Sequence, residues 1–208
     1  MDSRRFGASA IIGLITIAVS VMALVVNLEQ FVGAMGFIPA RLSGADLLSP
    51  AIPAFLTPFS SALIHGSWVH LIINMVMLMI VGPQVERVIG MSGLIVAYLV
   101  GAVAAAAAQF AADPSSAVPM VGASGAISAL FGLYAIFYGR PQQFSANMKI
   151  NRWIHVAWLL ITWIVIQMMS AALAGGQGVL LATPAHIGGF IAGLLMHRPL
   201  LLWRYRRA

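Results

Sequence analysis

Long runs of apolar residues, separated by short polar or glycine- and proline-rich turns, dominate the chain. About 20 apolar residues cross a bilayer as a helix, and most of the runs approach that length. The pattern predicts six membrane-spanning helices at about residues 6–26, 66–82, 93–112, 121–138, 153–173 and 185–202. The loop between the first two, residues 27–64, is too apolar for a solvated linker. We expect it to pack at the membrane surface.

The composition agrees with this pattern. Of 208 residues, 61% are hydrophobic and 8% are charged, whereas a soluble domain carries about a quarter charged residues. Mean hydropathy is +0.97. The chain has too little polar surface for a water-soluble globule and too much apolar surface for a disordered chain. We therefore predict one membrane-embedded, all-α domain over residues 1–208.

Charge indicates the orientation. The net charge of +6 would suggest nucleic acid in a soluble protein, but here the basic residues flank apolar runs. With six spans, all but Arg41 of the 11 lysines and arginines fall on one side. The positive-inside rule then places both termini in the cytoplasm. The first run follows Arg4 and Arg5 but is too long for a cleaved signal peptide, so we expect a retained helix.

Polar residues in the spans cluster near the starts of the second, fourth and sixth, which would all run from outside to inside. These residues are His70 and Asn74, Ser124, and His186. At 1.5 Å per residue, they would share a depth of about 5–10 Å below the outer surface. His70 and Asn74 are four apart and share a helix face, whereas His65 is turned away from them.

This set of residues could perform nucleophilic chemistry. Ser124 would be the nucleophile and His186 its base, with oxyanion donors from His70, Asn74 and the backbone at the start of the fourth span. No predicted span contains an acid; the acidic residues are Asp2, Glu29, Asp46, Glu86 and Asp113. The chemistry would therefore rest on a Ser–His dyad. Without cysteine, thiolate metal sites and thiol nucleophiles are excluded.

Each residue alone also has a purely structural explanation. A serine or histidine in a membrane helix commonly hydrogen-bonds to a neighbouring helix or lets it approach closely. Gly189 and Gly193 form a G-x-x-x-G pattern, and Gly125 contributes to a small face on the fourth span. Close packing of the fourth and sixth spans would bring His186 to Ser124, and simple helix packing would produce the same pattern.

Three segments resemble motifs of the rhomboid family of intramembrane serine proteases, in the family's order. Residues 65–74 resemble its H-x4-H-x3-N segment, residues 122–125 its G-x-S-G motif, and residues 185–193 its A-H-x-x-G-x-x-x-G motif. Residues 82–90 look like the turn after the family's second helix. The resemblance covers about residues 57–195.

The resemblance implies a serine endopeptidase with Ser124 as nucleophile and His186 as general base. It assigns the oxyanion hole to His70, Asn74, Gly122 and Ala123, and structural positions beside the site to His65 and Gly125. Substrates would be membrane proteins cleaved in or next to a transmembrane helix, with no metal, cofactor or nucleic acid involved. The enzyme would lie in the plasma or inner membrane, with its site open to the extracytoplasmic side.

The chain departs from the family pattern in two places. The first loop lacks a Trp-Arg pair that many members carry. Ser128 stands where some members have a tyrosine that stacks on the catalytic histidine. A catalytically silent rhomboid-like protein that binds or moves membrane helices is the alternative, although such relatives usually lack the serine or the histidine. A transporter or channel would carry polar groups through the midplane, where these spans are almost wholly apolar.

The remaining polar and aromatic residues indicate packing or interfacial positions. Trp153, Trp158, Trp163 and Trp203 are typical of an interfacial belt or of lipid-facing bulk. Glu86 with Arg87 is typical of a solvated or loop-fixing pair. Gln109 and Gln167 could bond between helices or touch a substrate, and we expect packing.

Overall fold

The computed structural model describes residues 7–45, 51–139, 145–173 and 182–206. Regular structure within them is helical, apart from one isolated bridge between Phe37 and Met120. The start of the first predicted span at Phe6 and most of the loop between the last two spans lie outside the described residues. So do Arg4, Arg5, Arg140, Arg207, Asp2 and Asp46.

Eight α-helices follow one another along the described chain. They are α1 (Ala8–Val26), α2 (Leu28–Met35), α3 (Pro39–Leu42), α4 (Thr57–Ser60), α5 (Trp68–Ala112), α6 (Ser124–Phe137), α7 (Met148–Leu173) and α8 (Thr183–Tyr205). Short 3-10 turns at Ala54–Leu56 and Ser61–Leu63 flank α4. Four of the described helices, α1, α5, α7 and α8, are long and apolar enough to cross a membrane. The chain is therefore an all-helical integral membrane protein.

Helix α5 is broken in its middle. Its 45 residues would extend about 68 Å if straight, more than twice the hydrocarbon thickness of about 30 Å. Gly90 interrupts it with φ 77° and ψ 171°, a conformation open essentially to glycine. His70 of the first arm (68–89) and Ala105 of the second arm (91–112) both lie against the beginning of α6. The two arms are therefore antiparallel.

The first arm continues through residues 83–89, which the sequence predicted as a turn. Gly82 and Pro83 do not end the helix, which continues to the break at Gly90. The helix begins at Trp68 rather than Gly66, with Ser67 as its N-cap: the Ser67 side chain accepts from the His70 N–H at 3.1 Å.

Helix α6 lies at the centre of the bundle. Its 14 residues are shorter than a full span, and every residue from Ser124 to Leu133 is buried. Both arms of α5, together with α7 and α8, surround it. A helix that is apolar on all sides is stable only in such surroundings. At the far end, the Tyr138 hydroxyl donates to the Gln84 carbonyl at 3.0 Å and ties α6 to the first arm of α5.

Small residues allow α8 to pack directly on α6. A Cβ on Gly189 would overlap the carbonyl oxygen of Gly125, and a Cβ on Gly193 would overlap that of Ala129. These backbones approach as closely as two helices can, the arrangement that small-residue patterns favour in membranes. The predicted close packing of these two segments is confirmed.

Five consecutive alanines in the second arm of α5, residues 104–108, also allow close packing against α6 and α8. Ala105 contacts Gly125 of α6, while Ala104 and Ala108 contact Gly188 of α8. A larger side chain at Ala105 would push α5 away from α6, and one at Ala108 would push it away from α8.

Glu86 caps the N-terminus of α1, so its interpretation as a solvated or loop-fixing pair with Arg87 is wrong. Its carboxylate accepts from the backbone N–H groups of Ala8, at 2.7 Å, and Ser9, at 3.2 Å, and from the Ser9 hydroxyl at 2.9 Å. A carboxylate at a helix N-terminus satisfies unpaired N–H groups and complements the helix dipole.

The described part of the first loop packs against the segment that leads into α6. Phe37 is buried, and its backbone exchanges two hydrogen bonds with Met120 at 2.9 and 2.8 Å. Ala40 N–H donates to the Ser116 carbonyl at 3.0 Å. This loop is indeed not a solvated linker, and it holds the chain just before Ser124.

Candidate active site

Ser124 and His186 form a buried hydrogen-bonded pair. Ser124 is the first residue of α6, and His186 lies in the first turn of α8. His186 Nε2 lies 2.8 Å from Ser124 Oγ. The two side chains retain only 7% and 5% of their exposure. The close contact of Gly189 with Gly125 lies one residue after Ser124 and one turn after His186, and it holds the two helices together at the pair.

The sequence predicted a helix that begins at about residue 121, a few residues before Ser124. In the structure, Ser124 is itself the first residue of the helix. Gly122, two residues earlier, has φ 118°, which excludes it from a helix. The N–H groups of a first helical turn have no partner within the helix. The backbone N–H of Ser124 is therefore available next to its own hydroxyl.

His65 holds the segment before Ser124 against α1. Its Nδ1 lies 2.9 Å from Ser20 Oγ, and its Nε2 accepts from the Ala123 N–H at 3.3 Å. Because the Ser20 hydroxyl already donates to the Leu63 carbonyl at 2.8 Å, the Nδ1–H tautomer satisfies all three contacts. The ring is fully buried, and this burial lowers the pKa of His65 well below its ordinary value. These contacts tie His65 to α1 and to the segment before Ser124.

Ala123 is correspondingly less suited to an oxyanion hole than the resemblance implied. Its N–H is already engaged by His65. Gly122 N–H is also engaged, with the Ser61 carbonyl at 2.9 Å. Of these three consecutive N–H groups, the one of Ser124 has no partner within the described part of the chain and can bind a ligand.

Gly122 gives His70 its place beside the nucleophile. A Cβ on Gly122 would lie 2.7 Å from Cε1 and 2.9 Å from Nε2 of His70, so only glycine leaves room for the imidazole. The His65 and His70 rings meet edge to face, with centroids 4.8 Å apart. The two histidines and the segment before Ser124 form one packed unit.

Asn74 is fully buried, but its amide is directed at its own helix. Nδ2 donates to the His70 carbonyl at 2.9 Å, and Oδ1 has no hydrogen-bond partner among the described residues. The structure does not bring this amide into contact with Ser124. One N–H of Nδ2 is still free.

A narrow cavity opens beside the pair. It is lined by residues of α6 and α8 and of the preceding loops, among them Ser124, His186, Gly122, Met120 and Ser61. Its volume is about 20 Å³, which accommodates about one water molecule. Hydrolytic chemistry at Ser124 requires such access.

Trp163 is part of this site, and its interpretation as an interfacial or lipid-facing residue is wrong. It is fully buried, whereas Trp153, Trp158 and Trp203 are 60%, 60% and 40% exposed. Its Nε1–H donates to Ser128 Oγ at 2.7 Å. Its ring meets the His186 ring edge to face, with centroids 6.4 Å apart and planes at 69°. The buried stripe Trp163, Gln167 and Ser170 on α7, at helical spacing, was a signal that could have revealed it.

The described residues do not form a set of ligands for a metal ion. Within residues 7–45, 51–139, 145–173 and 182–206, no three of histidine, aspartate and glutamate lie close enough to hold an ion.

The fold and the site define an all-helical integral membrane protein with a buried, hydrogen-bonded serine–histidine pair. The family model of the rhomboid domain matches residues 54–203, and the chain belongs to the rhomboid family. It is 32% identical over 140 residues to Rhomboid protease GlpG of Pectobacterium atrosepticum, covering 66% of this chain and 46% of that protein. It is 30% identical over 139 residues to RHOMBOID-like protein 5 of Arabidopsis thaliana, covering 67% and 42%. The chain thus matches less than half the length of either relative.

Proposed function

We propose that this chain is an intramembrane serine endopeptidase that cleaves peptide bonds in or next to transmembrane segments of membrane proteins. Ser124 and His186 form its catalytic dyad. The 2.8 Å hydrogen bond between Ser124 Oγ and His186 Nε2 carries this proposal. Family membership and similarity to a protein named as a rhomboid protease support it.

The dyad acts by acyl transfer. Ser124 Oγ attacks the scissile carbonyl carbon while neutral His186 accepts the hydroxyl proton at Nε2. The tetrahedral intermediate collapses, the C–N bond breaks, and the imidazolium returns the proton to the leaving amine. A water molecule, deprotonated by the same nitrogen, then attacks the acyl-serine. The second tetrahedral intermediate collapses, the bond from the acyl carbon to Ser124 Oγ breaks, and the imidazolium returns its proton to Oγ, which releases the carboxylic acid and restores the hydroxyl.

The oxyanion of the intermediate is stabilised by donors around the start of α6. The free N–H of Ser124 points outward from a helix N-terminus, where the helix dipole also favours negative charge. His70, packed on Gly122, and the unused amide N–H of Asn74 are the side-chain donors.

In the membrane, the two arms of α5, together with α1, α6, α7 and α8, make six crossings of one domain. Arg204 packs against Gly90 at the end of the bundle opposite Ser124, and Arg206 lines a cavity beside it. Because basic residues favour the cytoplasmic side, that end and both termini face the cytoplasm. The site then opens to the extracytoplasmic side of the plasma membrane.

The test is labelling of purified, detergent-solubilised protein with a fluorophosphonate, which reacts with activated serines. Wild type should be labelled, whereas Ser124→Ala and His186→Ala should not. Ser115→Ala, which alters an exposed loop serine, is the matched control and should be labelled like wild type. In proteoliposomes, the wild type should cleave a reporter transmembrane segment and Ser124→Ala should not.

Two outcomes would contradict the proposal. A folded wild type that is neither labelled nor active would favour a silent rhomboid-like protein that binds membrane helices. Equal labelling of Ser124→Ala would mean that another serine is the nucleophile.

A further inference from the structure

Something other than an acid must orient His186. The hydrogen bond from His186 in the described structure goes to Ser124. Glu86, which lies within α5, caps the N-terminus of α1 instead. Ser128, one turn after the nucleophile, is too short to reach over the imidazole. A histidine with free rotation about its side-chain bonds would present Nε2 to Ser124 only part of the time.

Trp163 of α7 occupies the space beside the imidazole. The two rings are 6.4 Å apart at 69°, within the range of favourable edge-to-face aromatic pairs. The indole is itself fixed, because it is fully buried and stacks on Phe131 with centroids 4.6 Å apart. A rigid ring of this size limits the rotation of the smaller one.

A hydrogen-bonded chain connects the same indole to the nucleophile. Trp163 Nε1–H donates to Ser128 Oγ at 2.7 Å, and the Ser128 hydroxyl donates to the Ser124 carbonyl at 2.7 Å. Among the described residues, no other side-chain hydrogen bond joins α7 to another helix. Trp163 therefore contacts the His186 ring directly and is linked through Ser128 to the backbone carbonyl of Ser124.

We propose that Trp163 is a positioning residue for the Ser124–His186 pair, anchored by Ser128, and this assignment rests on the proposed function. Its ring holds the imidazole in the orientation that directs Nε2 at Ser124 Oγ. The serine at position 128 fits this arrangement, since a larger residue there would occupy the volume of the indole.

The experiment measures the saturating rate of fluorophosphonate labelling (kinact) and the half-saturating concentration (KI). Trp163→Leu should lower kinact about ten- to a hundredfold, as expected for loss of alignment at a reacting pair. KI should change less than threefold. Trp163→Phe keeps an aromatic ring but has no N–H to donate to Ser128, so it should lower kinact only several-fold. Ser128→Ala should lower kinact several-fold, because the indole loses its anchor.

The matched control is Trp158→Leu, the same change on the same helix at a residue that is 60% exposed. It should leave kinact unchanged. A folded Trp163→Leu variant with wild-type kinact would overturn the positioning role. If Trp163→Leu does not fold, wild-type kinact in Ser128→Ala would overturn it. A Trp163→Phe variant as impaired as Trp163→Leu would also overturn it. Failure of the wild type itself to be labelled would contradict the proposed function instead, so the two failures are distinguishable.

Discussion

Gly189 lies directly against the carbonyl oxygen of Gly125, so the backbones of α8 and α6 touch one residue after Ser124 and one helical turn after His186. The separation of the two reacting side chains is therefore set by backbone contact rather than by the side chains alone. Any group inserted between these two residues should act on the pair directly.

Gly189→Ala tests this relationship. The new methyl group would overlap the Gly125 carbonyl, and overpacking of this kind destabilises by about 1–3 kcal/mol. We expect a lower unfolding temperature and at least a tenfold loss of fluorophosphonate labelling. Gly66→Ala is the control, because no atom lies within 4 Å of a Cβ at that position. Wild-type labelling of Gly189→Ala would show that the contact does not set the geometry.

Glu86→Gln tests the cap on α1. The amide keeps the shape of the side chain but loses the charge that complements the helix N-terminus, so we expect about 1–2 kcal/mol lower stability. Thermal unfolding in detergent measures this difference. Arg87→Gln, at the neighbouring exposed position, should change stability by less than about 0.5 kcal/mol. Equal effects of both substitutions would contradict the cap.

His65→Gln tests the buried histidine through pH. Because burial lowers the pKa of His65 in the folded state, the unfolded chain binds a proton below about pH 6.5 that the native protein does not. His65 thus lowers wild-type stability by up to about 1.4 kcal/mol per pH unit as pH falls below 6.5, and contributes no pH dependence above it. Unfolding measured from pH 8 to 5 should show a shallower acid limb for His65→Gln. An unchanged limb would mean that His65 is protonated in the native state.

Gly90→Ala tests the break between the two arms of α5. At φ 77°, an alanine carries backbone strain of about 1–3 kcal/mol, and its Cβ would also approach Arg204 Cζ at 3.2 Å. We expect a lower unfolding temperature. The double variant Gly90→Ala with Arg204→Ala separates the two causes. Full recovery in the double variant would assign the loss to the arginine contact instead of the backbone.

The sequence could predict those parts of the site that depend on where a residue lies within an apolar run, and hence on its depth in the membrane. Ser124 and His186 each lie near the start of an apolar run, and the glycines that bring the runs together are spaced one turn apart. These signals are local, so the sequence alone predicted the pair and the small-residue packing that joins it.

Glu86 and Trp163 could not be placed in the same way. Glu86 bonds to Ala8 and Ser9, 78 and 77 residues away, and no local pattern indicates such a partner. Trp163 differs from three other tryptophans only in the direction it faces, which depends on how α7 packs. The break at Gly90 was placed within a predicted turn, but whether residues 83–89 stay helical depends on their surroundings.

The burial of α6 also decides how the bilayer can affect the chemistry. With every residue from Ser124 to Leu133 buried, the helix that bears the nucleophile is insulated from lipid. Bilayer thickness and lipid composition can therefore affect the geometry at Ser124 only by changing the positions of the helices that enclose α6. A sensitivity of the reaction to lipids would be a property of α5, α7 and α8, and substitutions on their outer faces should alter it without touching the site.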